Sequence, residues 1–86
     1  MTYDWYNIIN LVEFEALSLV SKEVEVIFEG VGLKTLLVVK GNYVSVVFDD
    51  TLLAVNMNAK NPFEFDSKAV YLDANNDIWV GIANED

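Results

Sequence analysis

The sequence predicts an α+β domain in which a single short N-terminal helix packs on an antiparallel meander sheet of five or six strands. Three observations predict it. One stretch carries apolar residues at helical spacing behind a good N-cap, later stretches alternate apolar with polar residues, and turn signals recur roughly every eight to twelve positions. A small curled sheet or partial barrel is the alternative arrangement of the same strands.

Residues 2–9 hold aromatic and β-branched side chains in loose alternation, which fits either a first strand or an aromatic clasp. The helix is expected over 10–20. Asn10 is a favourable N-cap, Glu13 stands three residues on in capping-box position, and Leu11, Phe14, Ala16, Leu17 and Val20 repeat at helical spacing. From Glu23 the period changes to two, so that Val24, Val26 and Phe28 share one side of a strand and Glu23, Glu25 and Glu29 the other. Gly30 and Gly32 end that strand. A more apolar strand over 33–40 runs into Gly41-Asn42, residues that tolerate the positive φ of a tight hairpin, and the alternation resumes over 43–49 with Val44, Val46 and Phe48 together. Asp49-Asp50 then turns the chain into a strand over 52–58. Pro62 removes a donor and extends Asn61, so 58–62 reads as a loop. The chain closes with a terminal hairpin, strands at 69–72 and 78–83 joined by an Asx-rich turn over 73–77.

Length and composition bound the function. At 86 residues there is room for one domain, 1–86. Apolar residues make up 53 % of the chain, above the usual ~45–50 %, and the surplus points to self-association or a docking surface. Fourteen acidic residues against five lysines, without arginine or histidine, give a net charge of -9. Bare nucleic acid and anionic membranes are therefore poor partners, and a basic protein is an easier one. No cysteine is present, so a disulfide framework is excluded, and Asp4 stands where a signal peptide would be positive. A protein of the cytoplasm is expected.

The absent residue types also bear on catalysis. Without His or Cys there is no thiolate, no imidazole base and no nitrogen or sulfur ligand for zinc; without Arg there is no bidentate anion clamp. Acid-base work would fall to paired carboxylates across a cleft that a meander of this size offers little room for. No enzymatic activity, cofactor or metal is expected. Asp73, Asn75 and Asp77 match the start of a calcium loop, but the sixth position is Ile78 and the twelfth Asn84, so a hairpin turn is the expected role. Gly30-Val31-Gly32 lacks a following helix or a phosphate-binding Lys and reads as a turn.

Two surface features remain as candidates. Tyr3, Trp5 and Tyr6 form an aromatic cluster whose lack of basic neighbours argues against nucleic acid and for core or interface. Glu23, Glu25 and Glu29 on one strand, with Asp49 and Asp50 at a neighbouring turn, are candidate partner-binding residues: spaced carboxylates can imitate phosphates before a basic cleft, or simply keep an apolar protein soluble.

The segments Glu13-Phe14-Glu15-Ala16, Leu19-Val20-Ser21, Glu29-Gly30-Val31-Gly32, Lys40-Gly41-Asn42-Tyr43, Asn61-Pro62-Phe63-Glu64-Phe65, Ala69-Val70-Tyr71-Leu72-Asp73 and Ile78-Trp79-Val80-Gly81-Ile82 span most of the chain. Together they resemble small uncharacterised proteins of tailed phages and prophages. The resemblance implies a phage or prophage setting inside a bacterial host cell and carries no activity or site residue. The combined expectation is a non-enzymatic accessory protein acting through protein-protein contact or self-assembly, with an acidic nucleic-acid mimic as the alternative.

Overall fold

Asn10 marks the first break in the chain, and its cap is the one expected: its side-chain oxygen accepts from the Val12 amide at 3.0 Å. A computed structural model describes residues 2–28, 30–48 and 50–84. Before the cap runs β1 (Thr2–Asn10), after it α1 (Leu11–Ala16), then β2 (Ser21–Phe28), β3 (Val31–Lys40), β4 (Tyr43–Phe48), β5 (Thr51–Asn56), β6 (Phe63–Phe65), β7 (Lys68–Leu72) and β8 (Asp77–Asn84). The strands make two four-stranded antiparallel sheets, ordered β1-β8-β7-β6 and β2-β3-β4-β5. We call them the terminal and the central sheet.

This corrects the predicted α+β class. The described chain is nearly all β, with eight strands rather than five or six, and it builds two sheets where one, flat or curled, was expected. The helix is the reason. It spans six residues, because Ser18 adopts φ 56° and turns the backbone out of the helix, and it buries only Leu11 and Phe14. Leu17 and Val20, expected on its apolar stripe, are exposed. So short a helix cannot cover the apolar face of a sheet, and a second sheet covers it instead.

Alternation decides which side chains face inward. Val44, Val46 and Phe48 of β4, Leu53 and Val55 of β5, Val70 and Leu72 of β7, and Ile78 and Val80 of β8 are buried in one core with Phe14. β1 joins this core with Tyr6, Ile8 and Ile9, and a register shift between Asn7 and Ile9 lets two consecutive isoleucines reach it. The predicted Gly41-Asn42 hairpin is present: Lys40 pairs with Tyr43, and Gly41 takes φ 57° at the first of two turn residues. Among the described residues, no helix is long and apolar enough to cross a membrane.

Candidate functional site

The outward positions of the terminal sheet are where aromatic residues collect. In β7 and β8 the core claims Val70, Leu72, Ile78 and Val80, so Tyr71 and Trp79 are forced outward, and the register sets them directly opposite each other. The pairing of β1 with β8 brings Trp5 opposite Gly81 on the same face. A Cβ built on Gly81 would lie 3.0 Å from the Trp5 ring, so the absent side chain lets the indole lie against the strand. Trp5 stands 6.2 Å from Tyr71, nearly edge to face at 61°, and 5.5 Å from Tyr3. Trp5, Tyr71 and Trp79, with Asp73 and with Pro62 from the loop entering β6, line a groove of about 380 Å³. That lies at the low end of the ~300–1,000 Å³ typical of ligand sites, which suits a side chain or short segment.

Asp73 is the polar member of the groove, and the hairpin turn defines its state. Its Oδ1 accepts from the amides of Asn75 and Asp77, both at 2.9 Å, while Oδ2 accepts from the Trp79 indole N–H at 3.0 Å. The indole bond foremost, and the two amides with it, hold the Asp73 carboxyl below the usual carboxylate range. The turn is tied down further. Asn10 donates to the Asn75 carbonyl at 2.9 Å and to Asp77 Oδ1 at 3.1 Å, and the Leu11 amide donates to the Asn76 carbonyl at 2.6 Å. The D-x-N-x-D motif is thus a hairpin turn whose first carboxylate orients Trp79. At the other end of the groove face, burial and then the Glu64 carboxylate raise the Tyr3 hydroxyl.

Of the acidic candidates, three lie among the described residues. Glu23 and Glu25 do share the outer face of β2, opposite Leu36 and Lys34 of β3. Lys34 lies 3.8 Å from Glu23, both well exposed, and the Glu25 side chain lies flat over Gly32, whose added Cβ would meet Glu25 Cδ at 2.6 Å. A cation therefore stands among the carboxylates. Asp50 is exposed in the β4–β5 turn with φ 58°, and that turn closes one pair beyond Val47 and Leu52, the row that Leu36 and Glu23 continue across β3 and β2. Glu29 and Asp49 lie outside the described residues.

The outer face of the central sheet carries a second feature. Leu36, Val47 and Leu52 stand directly opposite one another across β3, β4 and β5, and Val38, Ser45 and Ala54 form the next row. Leu36 is 44 % and Leu52 63 % exposed, large values for leucine.

The predicted aromatic cluster is divided by the fold. Tyr3 and Trp5 go to the groove face and Tyr6 packs on the core. Tyr71 and Trp79 were not singled out from the sequence, although their positions between core residues in a strand were the available signal. No protein-family model, curated protein or solved structure matches the chain, so the resemblance to phage proteins rests on the quoted segments alone.

Proposed function

We propose that the chain is a non-enzymatic accessory protein of phage or prophage type, working in the cytoplasm of a bacterial host by docking a protein partner in the aromatic groove of the terminal sheet. The observation that carries this reading is the presentation of Trp5, Tyr71 and Trp79 on the outside of a sheet whose inner face already supplies the core. Aromatic rings on a rigid element are the usual anchors of protein interfaces, because they bury a large area and lose little conformational freedom. A carboxyl held low, as at Asp73, is a poor proton donor near neutral pH, which supports binding over acid-base chemistry.

The test is comparative capture from the host. A protein retained by the wild-type chain and lost by Trp5→Ala/Tyr71→Ala, with folding confirmed by circular dichroism, is the expected result. Equal retention by both chains would contradict the docking site.

A second reading, self-association through the outer face of the central sheet, is favoured by the Leu36, Val47, Leu52 row. That face carries Lys34 and Lys40 as well as Glu23 and Glu25, so two copies of a strongly acidic chain meet there with little repulsion. Phosphate mimicry by the acidic residues has less support, since Lys34 interrupts their field.

A further inference from the structure

We propose that the groove of Trp5, Tyr71 and Trp79 selects a cationic side chain, lysine or arginine, of the docked partner; the inference rests on the docking reading above. The groove has the two components such recognition needs. Its walls are aromatic, with Trp5 and Tyr71 packed nearly edge to face at 61°, so that a group seated over the pair meets rings at two inclinations. An ammonium or guanidinium within ~6 Å of a ring face is attracted by the negative π-cloud. The second component is charge. Asp73 lines the groove and Glu64 stands in the cross-strand row of Ala69, Gly81 and Trp5, whereas none of the lining residues is basic.

The competing partners fit less well. An anionic side chain would meet Asp73 with no cation in the lining, and a neutral apolar one would gain nothing from its charge. One basic group, the chain's own Lys60, lines an adjoining cleft of about 230 Å³ together with Tyr71 and Asp73. Its charge opposes that of an incoming cation. Removing it strengthens the site.

Preorganisation adds to the case. The Asp73 carboxylate fixes the Trp79 ring through the indole N–H, and Gly81 seats the Trp5 ring against the strand, so little rotamer freedom is lost on binding. Both tryptophans of the chain line this groove, and intrinsic fluorescence therefore reports on it directly.

The experiment is a fluorescence titration with four pentapeptides, Gly-Gly-X-Gly-Gly, in which X is lysine, arginine, norleucine or glutamate. Lysine and arginine peptides are expected to change the emission saturably and to bind about tenfold more tightly than norleucine, the margin a partly desolvated cation gains over an aromatic face. Added salt should narrow that margin, Lys60→Gln should widen it, and Trp5→Ala should erase it. Norleucine binding as tightly as lysine would overturn the cation and leave the docking groove standing. No response to any of the four peptides would overturn both.

Discussion

The two outward faces of the molecule are built by the same rule and carry opposite chemistry. On the terminal sheet, the positions not needed by the core hold Tyr3, Trp5, Tyr71 and Trp79 with Glu64 and Asp73; on the central sheet they hold Leu36, Val38, Val47 and Leu52 with two lysines and two glutamates. One face is aromatic and acidic, the other aliphatic and close to neutral. A second copy of a chain with charge -9 approaches most easily over the neutral face, and a basic partner is drawn to the acidic one.

Both faces hang on one core, which gives the largest expected effect. Phe14 is fully buried in the core cluster that both sheets feed, and Phe14→Ala should cost about 3–5 kcal/mol in urea unfolding, weakening the two faces together. Loss of groove fluorescence without loss of stability would show that α1 serves only one sheet. Next in size is the central face alone. Leu36→Glu/Leu52→Glu should abolish self-association by light scattering and leave the tryptophan emission unchanged, with a stability change of roughly 0.5 kcal/mol per site or less, as expected for exposed positions. An unchanged mass would remove the central face as an interface.

Gly81→Ala acts on the terminal face alone. Its new methyl meets the Trp5 ring at 3.0 Å, so the ring must give by a few tenths of an ångström. Stability should fall by less than about 1 kcal/mol while the emission of Trp5 shifts measurably. The smallest effect is electrostatic. Because the folded-state carboxyl of Asp73 is held low, its contribution is present above the ordinary carboxylate range and is lost as pH falls through the folded value. A Trp79 emission step below about pH 4 is expected in the wild type and should be absent in Asp73→Asn.

How much of this was legible in the sequence varied with the range of the interaction. Local signals are legible: the Asn10 cap, the Gly41-Asn42 hairpin, the 73–77 turn, and the shared side of Val44, Val46 and Phe48, though not which way that side faces. The helix end was missed because a serine, not a glycine, takes the left-handed conformation at position 18. β6 was missed for a similar reason. It has three residues, and its hairpin with β7 turns on Asp66 and Ser67, both at positive φ without a glycine. The pairing of β1 with β8 joins the two ends of the chain, and no local pattern encodes it. The groove inherits that difficulty, since Trp5 reaches Tyr71 only through this pairing.

The most direct test of the central claim is an amide and indole chemical-shift map of the chain titrated with the lysine pentapeptide. Shifts are expected at the Trp79 indole N–H and around Trp5, Tyr71 and Asp73, with the amides of Leu36, Val47 and Leu52 unmoved. Shifts centred on the central sheet, or along Glu23 and Glu25, would contradict it.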